Sequence, residues 1–262
     1  MNDRTPPVYL GCAGWSLPRE QWPHFPCEGT HLLRYAQRLP AAEINSSFYR
    51  PHREATYRKW AASVPEGFRF SVKLPKTITH QNRLRDCEEL LDEFLGQCAG
   101  LGEKLGCLLI QLPPSFAFDA ALVEDFLSRL RDRYDGSLAL EPRHVSWQDA
   151  EALLQQARVA RVAADPAPFE GSQQPAGWPG LQYFRLHGSP RIYYSAYPTD
   201  WLERLARQLQ AARENGIASW CIFDNTASGA AVANALHLQQ MLGSVDVSHA
   251  AAPEPVFARS KA

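Results

Sequence analysis

The sequence predicts an α/β fold: a TIM-like (β/α)8 barrel with a helix-poor crossover between strands six and seven. Three observations predict it. Eight short strand-like segments recur along the chain with helix-period segments between them, the alternation of a parallel sheet wrapped by helices. Eight parallel strands are also the number that closes a barrel of this kind. A chain of 262 residues suits such a barrel as one domain, and no repeat, linker or charge block divides it.

In order, the expected strands lie around Val8 to Ala13, Ala42 to Ser47, Phe68 to Leu74, Cys107 to Leu112, Leu138 to Pro142, Val159 to Asp165, Leu181 to His187 and Ser219 to Asp224. Apolar stripes at helical spacing fall between them: Leu32, Leu33, Ala36 and Leu39; Leu90, Leu91, Phe94, Leu95 and Cys98; Leu122, Phe126 and Leu130; Leu202, Leu205, Ala206 and Leu209 after Thr199. Asp86 with Glu89, and Ser146 with Asp149, occupy capping-box positions ahead of the second stripe and of Leu153, Leu154 and Ala157. A last helix near Ala230 to Leu242 covers strand eight. The crossover PAPFEGSQQPAGWPG is too rich in Pro and Gly for a regular helix. The domain is therefore expected to span residues 1–242, with a loosely ordered tail over 243–262.

Composition excludes some functions and leaves others. A formal net charge of -1 gives no global attraction to nucleic acid or to an anionic membrane. The opening MNDRTPP has no apolar run, and no later stretch approaches a membrane span, so a cytoplasmic protein is expected. The six cysteines form no C-x-x-C pair, and Cys12, Cys107 and Cys221 sit in apolar, strand-like runs as small hydrophobes.

Strand parity locates a site. In a barrel with helices outside, both strand faces are buried and the strands should be almost wholly apolar. These carry charge on alternate residues: Glu43 and Asn45; Arg69, Ser71 and Lys73; Gln111; Glu141 and Arg143; Arg161 and Asp165; Tyr183, Arg185 and His187; Asp224. The opposite face, from Ile44 and Phe70 through Val162 to Phe223, is apolar and suits the helices, so the polar face is expected to point inward. Most of the polar groups come late in their strands, at the end where TIM barrels keep their sites. The stretch Ser137 to Trp147 concentrates the pattern, with Glu141, Arg143, His144 and Trp147 at the carboxyl end of one β/α unit.

Several chemistries fit these residue types. Glu43, Glu141, Asp165, His187 and Asp224, with His80 from the loop after strand three, are oxygen and imidazole donors of the kind that hold a divalent metal. Lys73, Arg143, Arg185 and His187 are suited to clamp a phosphate or carboxylate, and the loop His187 to Tyr197 follows strand seven, where this fold often binds phosphate. Glycoside hydrolysis needs two facing carboxylates, which Glu43 and Glu141 would have to supply in place of Gln111 and His187 at the usual strand ends. Trp15, Trp22, Phe25, Phe48, Tyr49, Trp147, Trp178, Tyr193, Tyr194 and Tyr197 fall in or near loops and could stack on bases. A self-paired ion network that fixes barrel register is the competing structural account of the whole cluster. No G-x-S-x-G or Cys-His arrangement indicates a serine or thiol hydrolase.

Seven ordered motifs carry a family resemblance: GCAGWS, AAEINSSFYRP, FRFSVKLPKTITH, LLIQLPPSF, LALEPRHVSW, FRLHGSPRIYYSAY and FDNTASGAAVANA, the last containing Asn225. In this order, from Val8 to about Leu242, they resemble the YecE-like family, also known as domain of unknown function 72. The resemblance implies a TIM-like barrel whose motifs converge on one mouth. It implies no established activity, cofactor or substrate. The stretch SLPREQWPHFPCEG lacks an expected glycine between Trp22 and Phe25, and the Pro/Gly-rich crossover matches no motif.

The expectation is a single-domain barrel enzyme acting on a small anionic or sugar-phosphate-like substrate, by metal-assisted hydrolysis or isomerisation. Lys73, Arg143 and Arg185 would bind the anion, with Asn45, Gln111, Trp15, Tyr49, His144, Trp147, Asp224 and Asn225 around the ligand. Glu43, Glu141 and Asp165 are the candidate acids and bases, with His80 or His187 carrying protons near neutral pH. The competing expectation is a non-catalytic module binding nucleic acid or a partner protein.

Overall fold

The computed structural model describes residues 6–246, with side chains as far as Gly243. Its strands are β1 (Val8–Ala13), β2 (Ala41–Ile44), β3 (Arg69–Lys73), β4 (Leu105–Gln111), β5 (Ser137–Glu141), β6 (Val159–Arg161), β7 (Ala163–Asp165), β8 (Ala176–Gly177), β9 (Leu181–Leu186) and β10 (Ala218–Phe223). All lie in one sheet, ordered β7-β9-β10-β1-β2-β3-β4-β5-β6-β8. β6 and β7 are halves of one strand on either side of Val162. The first half pairs with β5 and the second with β9, so the chain closes the ring through a single residue. With β6 and β7 taken as one position and β8 set aside, eight parallel positions surround the axis, a TIM-like barrel.

Helices α1 (His31–Ala36), α2 (Glu54–Ala62), α3 (Glu88–Cys98), α4 (Ala120–Arg131), α5 (Glu151–Gln156), α6 (Thr199–Glu214) and α7 (Ala230–Asp246) cover the outside. α2 has no counterpart among the predicted stripes, because Tyr57 is its one buried residue and most of the rest is charged or small. The crossover after β7 carries no helix, as expected, and supplies β8, which pairs antiparallel with β6. α7 runs past Leu242 to Asp246, into the stretch expected to be a tail; residues 247–262 lie outside the described residues.

Both predicted capping boxes are corrected. α3 starts at Glu88 behind Cys87, with no side-chain cap, and Asp86 sits at φ 49° instead of capping. Ser146 lies inside a turn whose N-cap is His144, whose Nδ1 accepts from the Ser146 N–H at 3.2 Å; α5 begins only at Glu151.

Parity places two apolar layers. Ile44, Phe70, Val72, Leu108, Ile110, Leu138, Leu140, Phe184, Cys221 and Phe223 pack outward against the helices. Inside, Trp220, Tyr183, Ile222, Leu109 and Val162, with the small Ala41, Cys107, Ala139 and Ala160, fill the barrel below its mouth. Trp220 stacks on Tyr183 with centroids 5.9 Å apart and planes 9° apart, and Tyr9 lies tilted against it with centroids 4.6 Å apart. Gly11 in β1 permits a close approach: a Cβ there would lie 1.9 Å from the Ala41 carbonyl oxygen.

The sixth strand position departs from expectation. Ala160 and Val162 point inward, so Arg161 and Asp165 do not. Arg161 donates to the Gly171 carbonyl at 3.3 Å and lies 5.8 Å from the Phe169 ring centroid, both in the crossover. The reason is the missing helix. A loop with its own polar backbone covers the outer face here, and it accommodates charge that an apolar helix face would reject.

Candidate functional site

Arg185, near the end of β9 and 1% exposed, is the centre of the inward polar layer. Its Nε and Nη2 donate to Glu43 Oε2 and Oε1 at 2.9 and 2.7 Å, its Nη1 to Glu141 Oε2 at 2.6 Å, and its Nη2 to Asp224 Oδ2 at 3.1 Å. Strand parity explains how the acids reach one guanidinium: Glu43 and Glu141 sit late in β2 and β5, and Asp224 immediately follows β10. Tyr183 Oη lies below them, 3.1 Å from Glu43 Oε2 and 2.8 Å from Ser71 Oγ.

His187 is buried in the same layer. Its Nε2 lies 3.0 Å from Glu141 Oε1 and its Nδ1 3.0 Å from Asp224 Oδ2. Burial opposes the imidazolium, but Glu141 and Asp224 outweigh it and raise the His187 pKa above its ordinary value. Burial likewise opposes the Glu141 carboxylate, yet Arg185, His187 and Arg143 hold its pKa well below the usual range. Asp224 is lowered in the same way, against burial, by Arg185 and His187. Arg143 adds Nε and Nη2 contacts to Glu141 Oε1 at 3.2 and 2.9 Å.

Above this network opens a cavity of about 530 Å³, lined by Asn45, Phe48, Tyr49, Lys73, His80, Gln111, Arg143, Arg185, Tyr193, Tyr194 and Asp224, with Pro114, Thr226 and Ala227. Glu43, Glu141 and His187 do not line it. The groups that face it are therefore mostly cations, amides and aromatic rings. Lys73 ends β3 and is 5% exposed; its Nζ lies 4.0 Å from the Phe48 ring centroid, and among the described residues it makes no ion pair. Burial first, and Arg185 second, push its pKa down to about 8, against the pull of Glu43, Glu141 and Asp224.

His80 is presented by a single π-helical turn, Thr77–Gln81, anchored by buried Ile78 and Thr79. Thr79 Oγ1 donates to the Pro75 carbonyl at 3.3 Å and lies 2.9 Å from His80 Nδ1. The hydroxyl then accepts from Nδ1–H, which leaves Nε2 as the basic nitrogen. Burial, with Lys73 and Arg143, lowers the His80 pKa, so the ring is neutral at pH 7.

The remaining predicted residues are not brought together. Asp165 faces outward, where its Oδ1 accepts from Tyr197 Oη at 3.2 Å beside a separate cavity of about 280 Å³ against α6. Trp15 packs edge-on against Trp60 and Phe70. Trp147 is a core residue whose Nε1 donates to the Phe116 carbonyl at 3.0 Å, and His144 caps the turn before it. Asn225 braces the loop after β9, donating to the Ser195 carbonyl at 2.9 Å and to Asn234 Oδ1 at 3.0 Å. Asn45, Tyr49 and Gln111 do line the mouth, Gln111 with its amide donating to the Leu112 carbonyl at 2.7 Å. Thr79, Pro114 and Thr226 were not anticipated. Their one signal is position after a strand end.

A divalent metal does not fit this donor set. Both oxygens of Glu43 and Glu141 and the Oδ2 of Asp224 are engaged by Arg185, Arg143 and His187, and among the described residues no group of three or more His, Cys, Asp or Glu side chains is placed to hold a metal ion.

Fold and site together define a TIM-like barrel protein with a cation-lined mouth above a closed ion network. The chain belongs to the family described as protein of unknown function DUF72, whose family model matches residues 9–256. It is 29% identical over 174 residues to the UPF0759 protein YecE of Escherichia coli K12, covering 63% of this chain and 62% of that one. It is 26% identical over 178 residues to the UPF0759 protein YunF of Bacillus subtilis, covering 63% of each. The match thus spans less than two thirds of those relatives' length. Among solved structures it is similar to a DUF72 family protein from Thermotoga maritima, with TM-score 0.73, 25% identity and coverage of 90% and 99% of the two chains. A DUF72 family protein from Enterococcus faecalis gives TM-score 0.73 at 23% identity, covering 90% and 96%.

Proposed function

We propose that the barrel mouth binds a small organic anion of sugar-phosphate size and that the protein is an enzyme of isomerase type. One observation supports the reading: Lys73 faces the cavity with no carboxylate ion-pair partner among the described residues, beside Arg143 and Arg185, while the neighbouring acids are already held. A desolvated cation without a counter-ion is costly, and an anionic ligand supplies what it lacks. Arg143, which lines the cavity and keeps Nη1 outside its bonds to Glu141, offers a donor for phosphate or carboxylate oxygens, with Arg185 held behind it. His80, neutral at pH 7 with Nε2 basic, is the group able to take a proton from a bound ligand. His187, bonded to carboxylates through both nitrogens, belongs to the support beneath. Proton transfer of this kind needs no metal. The unpaired cysteines, five of them buried, support a cytoplasmic setting, and no described helix is long and apolar enough to cross a membrane.

The competing reading, a nucleic-acid-binding module, draws on the rim, where Tyr49, Tyr193 and Tyr194 are exposed and Arg191 lies 3.9 Å from the Tyr194 ring centroid. Calorimetry at pH 7 separates the two. A panel of sugar phosphates should include a ligand bound by the wild type and weakened tenfold or more by Lys73→Met or Arg143→Ala. Salt-sensitive binding of a single-stranded oligonucleotide, with no sugar phosphate bound, would establish the module and overturn the enzyme reading.

A further inference from the structure

We infer that Lys73 is a carbonyl-reactive amine, which condenses with an aldehyde or ketone whose anionic group is held by Arg143. The inference rests on the anion-binding reading of the same mouth and names its substrate class: small phosphorylated or carboxylated carbonyl compounds. Four features point to it. The side chain is almost wholly buried, yet it lines a cavity large enough for a small sugar phosphate. Its ammonium is placed against the Phe48 ring, and among the described residues no carboxylate is close enough to form an ion pair that would hold the proton on nitrogen. Arg185 crowds it with like charge from β9, and Glu43, Glu141 and Asp224, which favour the ammonium, are each bonded to Arg185. A lysine desolvated and set beside other cations is the arrangement that activates an amine as a nucleophile. Burial moves the amine toward neutrality near physiological pH, which supports this geometry.

The step balances without a redox partner. The free amine lone pair attacks the carbonyl carbon to give a carbinolamine. One amine proton, with one proton taken up from solvent, then leaves with the former carbonyl oxygen as water, and a protonated imine, C=N–H+, forms. His80, which lines the same cavity, is placed to relay a proton from nitrogen to that oxygen. The protonated imine draws electrons from the adjacent carbon, and neutral His80 can then take that carbon's proton, so the C–H pair becomes the C=C bond and the nitrogen keeps its hydrogen. The resulting enamine is the common entry to ketose–aldose interconversion and to carbon–carbon bond cleavage.

Trapping tests this directly, because the chain has only five lysines: Lys59, Lys73, Lys76, Lys104 and Lys261. Full-length protein is incubated with dihydroxyacetone phosphate and sodium cyanoborohydride, which delivers hydride to the imine carbon and fixes it as a secondary amine. Peptide mass spectrometry should place the adduct on Lys73 at least tenfold above exposed Lys59. Unphosphorylated dihydroxyacetone should label it at least tenfold more slowly, and labelling should rise with pH through about 8. Lys73→Arg should abolish the adduct, and calorimetry of inorganic phosphate on the wild type reads the anion site separately. Phosphate binding without a preferred Lys73 adduct would overturn the imine and leave the anion site standing. Absence of phosphate binding, with labels following exposure, would overturn both.

Discussion

Arg185 and Glu43 are joined side-on, Nε to Oε2 and Nη2 to Oε1, although two strands, β10 and β1, lie between their own strands in the sheet. The same guanidinium reaches Glu141 on the far side of the sixth strand position, so one buried cation ties walls that share no backbone ladder. A slip in strand register would leave at least one of these acids buried and unpaired.

Removing one partner should therefore be expensive. Glu43→Gln is expected to lower unfolding free energy by about 3–5 kcal/mol, because it leaves Arg185 short of its bidentate counter-ion inside the barrel. Glu54→Ala, which breaks the exposed Glu54–Arg58 pair on α2, should change it by no more than ~0.5 kcal/mol. Urea titrations of the two variants against wild type give the comparison, and similar effects would contradict the buried network.

Lys73 should separate stability from function. Its folded pKa lies below its ordinary 10.5, so the unfolded chain binds more protons between about 8 and 10.5 and wild-type stability should rise with pH across that window. Below it, the buried charge costs on the order of 3 kcal/mol. Lys73→Met is thus expected to unfold at higher denaturant than wild type at pH 7 while losing anion binding, and its stability should not climb between pH 8 and 10.5.

His187 should give the opposite slope. Its folded pKa is raised above 6.5 because Glu141 and Asp224 outweigh burial, so its stabilisation is complete below that value and is lost as pH rises through the folded pKa. Thermal denaturation of wild type from pH 6 to 8, below the Lys73 window, should show this decline, and His187→Gln should flatten it.

Trp220 fills the barrel axis beneath the charged layer. Trp220→Ala should cost about 3–5 kcal/mol, and the loss should extend to anion binding, since the void undermines Tyr183 and through it Glu43. Differential scanning calorimetry with and without ligand reads both.

The barrel and most of its mouth were legible because polarity alternates on strands whose outer face must satisfy a helix. Glu43, Lys73, Glu141, Arg185 and His187 stand out as charges where none should survive unless they point inward. The same logic misplaced Arg161 and Asp165, whose outer face meets a loop and tolerates polarity. Trp147, His144 and Trp15 were drawn toward the site by position in a motif, yet packing claims them. What the residue types could not disclose was allegiance: which carboxylates are held by a guanidinium and which cation is left without one. That depends on distances across the barrel, which no local spacing encodes.

The seam at Val162 has a consequence for how the ring moves. On either side of it the ladder is only three residues long, Leu138 to Leu140 against β6 and Phe184 to Leu186 against β7, with no helix laid over the crossover that follows. Short ladders under loops open at lower free energy than the rest of a fold. Backbone amides of Val159 to Asp165 should thus exchange with deuterated solvent sooner than those of β4 or β10, and the ring can breathe where its closing strand changes partners.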